Sequence, residues 1–238
     1  MAKIKIIAFD ADDTLWVNEP LFTDTREKCE AILAPYVDPL EIEEKLYNTE
    51  MKNLHLFGYG IKGFVLSMIE TAVQLSYGNI SGKEIQAIIN MGKEMIQHPI
   101  QLIPKVRETL EKLSRQYDLM LITKGDLFDQ ESKIARSELA QFFRIIEIVS
   151  DKTEETYAKI VDRYQINMEE FLMVGNSLKS DVLPVCNLGG QAIHIPFHTT
   201  WKHEEIAEHQ SNDLAYHEIA SIGHLPRILN QINAKTLN

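Results

Sequence analysis

Cysteine is scarce in this chain, and long apolar runs are missing from it. Cys29 and Cys186 are the two cysteines among 238 residues. So few thiols fit a reducing cytoplasm, and a polar N-terminus with no signal-like apolar stretch agrees with that. No apolar run approaches the ~20 residues that a membrane-spanning helix needs. We therefore expect a cytoplasmic protein without a membrane partner.

Positive charge is also in short supply. There are 24 Lys and Arg residues against 35 Asp and Glu residues, which gives a net charge of −11. This balance argues against nucleic acid or an anionic membrane as the main partner. An anionic substrate would need local positive charge, from a metal ion or a few lysines. The eight histidines lack the spacing of a zinc site and predict packed or solvated side chains.

Short apolar runs separated by helical patterns predict the fold class. The predicted strands cover residues 4–9, 119–123, 145–149, 171–174 and 192–195, and a further edge strand is expected at 214–219. Alternating strands and helices predict an α/β fold with a doubly wound parallel sheet. Ligands of such sheets bind at the carboxyl ends of the strands. The functional residues are therefore expected where these strands end.

One long interval breaks the alternation. Its pattern predicts helices over 23–34, 39–56, 61–77 and 82–96. We therefore predict an α/β core domain formed by residues 1–16 and 98–238, with an inserted α-helical domain over 17–97. The insert would serve as a lid or, alternatively, as a fixed bundle used for dimerisation. It contains Gly58–Gly63, which matches a dinucleotide fingerprint, but the expected strand before it is missing, and a loop between two helices is favoured.

Two carboxylates follow the first strand closely, in the sequence Asp10-Ala11-Asp12-Asp13-Thr14. Because side chains alternate along a strand, Asp10 and Asp12 leave the sheet on the same side. Two adjacent carboxylates repel unless a proton or a cation lies between them. One carboxylate that attacks, one that moves a proton and a divalent cation would together use this arrangement. An acidic turn with no catalytic role is the alternative.

These residues resemble the first signature of the haloacid dehalogenase-like superfamily, Asp-x-Asp-x-Thr. Three further signatures follow in the same order as in that superfamily. Thr123 ends the apolar strand Leu119–Thr123, Lys152 precedes a helix, and Gly175-Asn176-Ser177-Leu178-Lys179-Ser180-Asp181 follows another strand. The resemblance covers nearly the whole chain. It implies a Rossmann-like core with an α-helical cap inserted between the first and second signatures.

The resemblance also implies roles for individual residues. Asp10 would be the nucleophile and Asp12 the general acid and base, while Thr123 would hydrogen-bond a phosphoryl oxygen and Lys152 would neutralise charge. Mg²⁺ would be the cofactor, bound by the Asp10 carboxylate, the Asp12 backbone carbonyl and the Asp181 carboxylate. The chain would then be a hydrolase, a phosphatase acting on a small phosphorylated metabolite. The expected substrate contacts are Tyr59, Lys62, Lys124, Gly125 and Asn176.

The chain departs from the family pattern at Asn176, where an acid usually stands. An amide brings no charge, which puts metal affinity slightly in doubt, while Asp181 keeps the essential carboxylate. Lys133 is a rival for the role of Lys152.

Because the family's dehalogenases lack the second Asp, the presence of Asp12 argues against dehalogenation. A phosphomutase of the same superfamily remains an alternative. A receiver-like signalling module, a nucleotide binder and a catalytically silent phosphate-binding protein are the others. Substrate identity and oligomeric state are left open by the sequence.

Overall fold

A computed structural model describes residues 3–199, 201–204 and 216–235. The strands in these ranges are β1 (Ile6–Phe9), β2 (Asp118–Lys124), β3 (Ile145–Val149), β4 (Phe171–Gly175), β5 (Gln191–His194) and β6 (His217–Glu218). The helices are α1 (Glu19–Leu33), α2 (Pro39–Phe57), α3 (Ile61–Leu75), α4 (Gly82–Gln97), α5 (Val106–Leu113), α6 (Leu127–Ser137), α7 (Glu154–Arg163), α8 (Leu183–Asn187) and α9 (Leu225–Lys235). The predicted α/β class is thus confirmed.

The six strands of the described residues form one parallel sheet in the order β3-β2-β1-β4-β5-β6. β1 lies in the middle, and its Phe9 is level with Leu121 of β2 and Val174 of β4. The residues after β1 and β4, and the last residues of β2, therefore lie at one edge of the sheet. Val149, the last residue of β3, is level with Lys124 of β2, so Lys152 follows β3 at the same edge. The register therefore brings all four sequence signatures to that edge.

Both faces of the sheet are buried, as is usual for parallel sheets covered by helices. Ile7 and Phe9 of β1 belong to one apolar cluster, which also includes residues of α5 and α9. Ala8 points to the opposite face and packs in a second cluster with residues such as Tyr157 of α7. The strand that carries the first signature is therefore fixed from both sides.

The polypeptide divides into two compact units. The first comprises Met1–Glu19, Ile100–Lys124 and Lys133–Asn238, and the second comprises Pro20–Pro99 and Gly125–Ser132. We refer to them as the α/β unit and the helical unit. Within the α/β unit, the segments that flank the helical insert pair with each other: Trp16 bridges to Leu102 in antiparallel fashion.

The helical unit has its own apolar core, which includes Leu46, Phe64, Met68 and Ile88. Two of its helices, α2 and α4, begin at capping residues. Asp38 accepts a hydrogen bond from the Leu40 backbone N–H at the start of α2, and Ser81 forms a capping box with Glu84 at the start of α4. No helix among the described residues has the length and hydrophobicity needed to cross a bilayer.

The glycine motif at 58–63 connects two helices. α2 precedes it and α3 begins within it, so the strand that a dinucleotide fingerprint requires is replaced by a helix. Gly58 has a φ of 71°, and a side chain on Gly63 would approach the Gly58 carbonyl oxygen to 2.9 Å. The close turn between two helices accounts for these glycines.

The end of the chain is described in part. The predicted edge strand at 214–219 is represented by β6, and its first two residues lie outside the described residues. The polar segment from Phe197 to Asn212 was predicted as a loop or short helix. Its described part contains a single short 3₁₀ turn, Lys202–Glu204, and the rest lies outside the described residues. The closing helix begins at Leu225, as predicted.

Candidate active site

Asp10 is the first residue after β1, and its side chain is almost fully buried. Its backbone N–H donates to the Val174 carbonyl, which continues the sheet by one residue. Its carboxylate accepts hydrogen bonds from Lys152 Nζ at 2.5 Å and Thr14 Oγ1 at 2.9 Å. Burial raises the pKa of Asp10 to about 6, although Lys152 opposes this shift. Asp10 is thus a buried carboxylate whose charge depends on the neighbouring cation.

Lys152 lies between β3 and α7 and joins two carboxylates. Its Nζ donates to Asp10 and, at 2.7 Å, to Asp181 Oδ1. Burial disfavours the ammonium, yet Asp10 and Asp181 hold the pKa of Lys152 above its usual range. The three side chains therefore form a buried ionic cluster, and the cation is the one that the sequence resemblance singled out.

Asp181 reaches this cluster from a tight loop after β4. The loop contains one π-helical turn, Leu178–Val182, and the Ser177 backbone N–H donates to Asp181 Oδ2 at 3.0 Å. A side chain on Gly175 would approach the same oxygen to 2.1 Å. Glycine is therefore required before this loop because the Asp181 carboxylate packs directly against the backbone.

Thr123 stands near the end of β2 and is buried. Its hydroxyl oxygen has no hydrogen-bond partner among the described residues. A buried hydroxyl without a partner is costly, so such a group in a native protein calls for an explanation. A ligand oxygen that accepts or donates at this hydroxyl would provide one.

Asn176 occupies the position where the family usually has an acid. With its amide nitrogen directed inward, Asn176 donates to Asp10 Oδ2, Thr14 Oγ1 and the Asp12 carbonyl oxygen, each at 3.2 Å. Two of these acceptors are groups that the resemblance assigns to the metal. Asn176 thus bonds to groups of the expected metal site and brings no charge to it.

Asp12 is directed to a different set of partners. Lys133 Nζ donates to both carboxylate oxygens of Asp12, at 2.8 Å each, and Trp16 Nε1 donates to Oδ1 at 2.6 Å. The two candidate lysines are therefore divided between the two aspartates: Lys152 bonds to Asp10 and Lys133 bonds to Asp12.

A second ionic cluster lies beside the loop after β4, and sequence reasoning missed its acid. Glu204 accepts hydrogen bonds from Ser177 Oγ and Ser180 Oγ, at 2.5 and 2.6 Å, and forms an ion pair with Lys124. Burial opposes the negative charge, but Lys124 and the two hydroxyls lower the pKa of Glu204 to about 2. Lys124, expected to contact substrate, is thus bonded to Glu204 and to Ser180 in this structure.

His194, at the end of β5, supports the same loop. One ring nitrogen lies 3.0 Å from the Asn176 carbonyl oxygen, and the other lies 3.0 Å from Glu218 Oε2. The ring is buried. His194 is thus a packed histidine, one of the two possibilities that the sequence left open. Its support of the site was not predicted, although its place at the end of a strand is a feature that could have indicated it.

Three further predicted residues belong to the helical unit. Tyr59 lies in the loop between α2 and α3 and is half-buried. Lys62 pairs with Asp126 at 2.9 Å, and its Nζ lies 5.4 Å from the centre of the Phe128 ring. Gly125 has a φ of 144°, and a side chain there would approach Gln130 Nε2 to 2.9 Å. Their predicted contact with substrate stays a prediction.

The chemistry of the donor set suits a hard divalent cation. Mg²⁺ prefers oxygen ligands and binds carboxylates and backbone carbonyls. The Asp10 and Asp181 carboxylates meet at the Lys152 ammonium, so this position already stabilises a positive charge. The Asp12 carbonyl lies within 3.2 Å of the Asn176 amide, which in turn lies within 3.2 Å of Asp10. By the chemistry of their donor atoms, two carboxylates and one backbone carbonyl, these residues fit the expected ion.

Comparisons with known proteins agree with the fold and the site described above. The sequence profile of haloacid dehalogenase-like hydrolases matches residues 4–184. The crystal structure of a haloacid dehalogenase-like family hydrolase from Xanthomonas campestris superposes on this structure with a TM-score of 0.86. The two sequences are 38% identical, and the match covers 98% of this chain and 93% of that one. Glyceraldehyde 3-phosphate phosphatase of Pyrococcus furiosus is 27% identical over 96% of this chain and 93% of its own length. Human N-acylneuraminate-9-phosphatase is 22% identical, over 99% and 97% respectively.

Proposed function

This chain belongs to the haloacid dehalogenase-like hydrolase family, and we propose that it is a Mg²⁺-dependent phosphatase of a small phosphomonoester. The observation that carries the proposal is the buried cluster in which Lys152 joins Asp10 and Asp181. A cluster of two carboxylates and one cation is suited to a phosphoryl group that must approach a carboxylate nucleophile, because the positive charge reduces their repulsion.

Asp10 is the proposed nucleophile. One of its carboxylate oxygens attacks phosphorus, the bond between phosphorus and the ester oxygen breaks, and an aspartyl phosphate forms. Lys152 neutralises the negative charge that accumulates on Asp10 and on the transferred group. The Thr123 hydroxyl, buried and without a partner among the described residues, donates to a phosphoryl oxygen. Bound Mg²⁺ would supply further charge neutralisation for the same group.

Asp12 completes the reaction by moving protons. In the first half-reaction its carboxyl group gives a proton to the departing alkoxide, and in the second its carboxylate takes one from the attacking water. Water then replaces Asp10 on phosphorus and releases inorganic phosphate. The proton balance closes because the proton lost to the leaving group is regained from water.

The named relatives support the reaction class. The Pyrococcus furiosus and human proteins are both phosphatases of phosphorylated metabolites, as their names state, and each aligns with nearly the whole chain. A small phosphorylated metabolite is therefore the proposed substrate class for this chain. The acidic composition is the reason to propose that neither nucleic acid nor an anionic membrane is a partner, and the low cysteine content is the reason to propose a cytoplasmic location.

We propose that the helical insert, predicted over residues 17–97, serves as the cap that selects the substrate. A cap would restrict access of water to the phosphoryl group, which limits side reactions. Tyr59 and Lys62 are the proposed contacts to the leaving group. Tyr59 lies in the glycine-containing loop and Lys62 in the first turn of α3 that follows it. Their position supports this, since loops on a rigid scaffold often carry specificity.

A phosphate-release assay tests the proposed function. With p-nitrophenyl phosphate and Mg²⁺ the protein should turn over, and EDTA should stop the reaction. Asp10→Asn should reduce turnover to background, because an amide is a poor nucleophile, while circular dichroism remains unchanged. Turnover of Asp10→Asn near the wild-type rate would exclude the covalent mechanism. A screen of phosphorylated metabolites with the same readout would then identify the substrate.

A further inference from the structure

A second buried lysine, which the proposed mechanism does not use, is bonded to the second aspartate. Lys133 lies on α6, 121 residues from Asp12 along the chain, and its side chain is 9% exposed. Its Nζ lies 2.8 Å from each carboxylate oxygen of Asp12. A single ammonium equidistant from both oxygens fixes the direction of the carboxylate as well as its distance.

Two neighbours add to this arrangement. Trp16 Nε1 donates to Asp12 Oδ1 at 2.6 Å, and Trp16 itself is completely buried. Lys133 Nζ also donates to Asn18 Oδ1 at 3.3 Å. The ammonium is therefore itself directed by a second acceptor. The Asp12 carboxylate is held on one side by an indole that cannot move without disturbing the core.

Stability alone is a weak explanation for this pair. Replacing a buried ion pair by apolar side chains is often neutral or stabilising, so a buried pair is poor evidence for a structural role. A proton-transferring carboxylate, in contrast, must lie within hydrogen-bonding reach of the atom that it serves. A displacement of about 1 Å can cost about 10²-fold in rate.

We propose that Lys133 is a positioning residue, which holds the Asp12 carboxylate in the orientation required for proton transfer to the leaving group. The proposal rests on the proposed phosphatase function. It gives the two lysines separate tasks: Lys152 acts on the nucleophile and the transferred group, and Lys133 acts through Asp12. Removing Lys133 should therefore impair the reaction only where the reaction needs the proton from Asp12.

The test compares two leaving groups by their kcat/KM values, which cover the steps up to departure of the leaving group. An alkyl phosphate needs the proton, and 2,4-dinitrophenyl phosphate leaves without it. Lys133→Met should lower kcat/KM for the alkyl phosphate by about 10²-fold and for the dinitrophenyl ester by less than about threefold. Because both substrates are measured on one preparation, their ratio does not depend on the fraction of folded enzyme. Lys159→Met, at an exposed lysine on α7, is the matched control and should leave both values unchanged.

A double variant decides whether Lys133 acts through Asp12. In an Asp12→Asn background, Lys133→Met should add less than about threefold to the loss for the alkyl phosphate, since the group it positions is gone. A full second loss of about 10²-fold would overturn the proposal, as would equal losses for both leaving groups or no loss for either. Lys133→Gln replaces Lys133→Met if the latter does not fold. Turnover of Asp10→Asn near the wild-type rate would instead refute the phosphatase mechanism itself, so the two failures are distinguishable.

Discussion

The α/β unit and the helical unit place their buried polar groups differently. In the α/β unit, buried charged side chains from distant parts of the sequence, such as Asp10, Lys152 and Asp181, meet at the carboxyl ends of the strands. In the helical unit, polar side chains bond to neighbouring helices. Asn53 of α2 donates to Ser67 and Glu70 of α3, and the Tyr36 hydroxyl donates to Glu84.

This difference shows which aspect of the function, reaction type or substrate choice, can be inferred from the positions of the buried polar residues. Buried ionic clusters at strand ends are expensive to maintain, and their presence points to chemistry. Hydrogen bonds between helices are accounted for by the packing of the helices themselves. The reaction type can therefore be inferred from the buried charged residues of the α/β unit. We propose that the helical unit determines substrate choice, and the substrate must be found by experiment.

The largest predicted effect tests whether Asp12, in the α/β unit, transfers the proton to the leaving group. Asp12→Asn should lower kcat/KM for an alkyl phosphate by ~10²–10⁴-fold, because a poor leaving group needs the general acid most. For 2,4-dinitrophenyl phosphate the loss should be far smaller. Steady-state kinetics on both esters measures this. Equal losses for the two esters would mean that Asp12 has a structural or metal-binding role only.

Glu204 tests whether the second ionic cluster of the α/β unit is structural. Glu204→Gln should lower the free energy of unfolding by about 3 kcal/mol at neutral pH, because Lys124 loses its buried partner. Since the folded-state pKa of Glu204 is lowered from 4.5 to about 2, its contribution is complete above the unfolded value and is lost as pH falls toward about 2.

Urea unfolding of wild type and variant over this pH range measures the difference. Their stabilities should converge as the pH falls. The exposed Glu155→Gln, which removes a surface ion pair with Lys159, is the control and should have little effect at any pH. A constant difference between wild type and Glu204→Gln at all pH values would show that the charge of Glu204 is not what stabilises the fold.

Variants of Lys62 and Tyr59 test whether the helical unit determines substrate specificity. Lys62→Ala or Tyr59→Ala should reduce kcat/KM for the natural substrate by about tenfold or more, and should affect acetyl phosphate little, since a small substrate has almost no leaving group to bind. The Lys62–Asp126 pair is partly exposed, so its loss should leave the fold intact.

Lys52→Ala, at an exposed position of α2, is the control for these two variants. Steady-state kinetics with the natural substrate and with acetyl phosphate distinguishes the possible outcomes. If both substrates lose activity equally, these two residues support catalysis in general and not the choice of substrate. If neither does, the helical unit does not select the substrate through these residues.

The smallest predicted effect concerns Asn176. Asn176→Asp should tighten Mg²⁺ binding by about threefold or leave it unchanged, because it adds a carboxylate beside Asp10 and the Asp12 carbonyl. Asp181→Ala should weaken Mg²⁺ binding. Isothermal titration with Mg²⁺ measures both without relying on turnover. A large weakening in Asn176→Asp would mean that the metal site lies elsewhere.

Much of the fold could be predicted because the apolar runs are short and bounded. The first five strands recur within two residues of their predicted ends, and the sixth is shorter than predicted. The four helices of the insert were expected at nearly their observed positions. The helix α1 begins earlier than predicted, at Glu19, where the backbone N–H is bonded to the Asp13 carboxylate. An acceptor that precedes its helix by six residues leaves no periodic signal.

The site was foreseen to the extent that its residues follow strands. The topology brings Asp10, Thr123 and Asp181 to one edge of the sheet, as parallel strands require. The partner of Asp12 was not foreseen, because a contact over 121 residues between a turn and a helix has no signature in the sequence. Glu204 was missed for a related reason, since it lies in a polar segment without periodicity and is bonded to a distant loop.

Direct detection of phosphate on Asp10 tests whether this aspartate is the nucleophile. The Asp12→Asn variant should slow hydrolysis of the intermediate, because the water loses its base. Rapid acid quench during turnover of 2,4-dinitrophenyl phosphate, followed by mass spectrometry of the peptides, should find one phosphoryl group on the peptide that contains Asp10. Steady release of inorganic phosphate by this variant, with no phosphoryl group on Asp10 at any quench time, would contradict covalent catalysis by this aspartate.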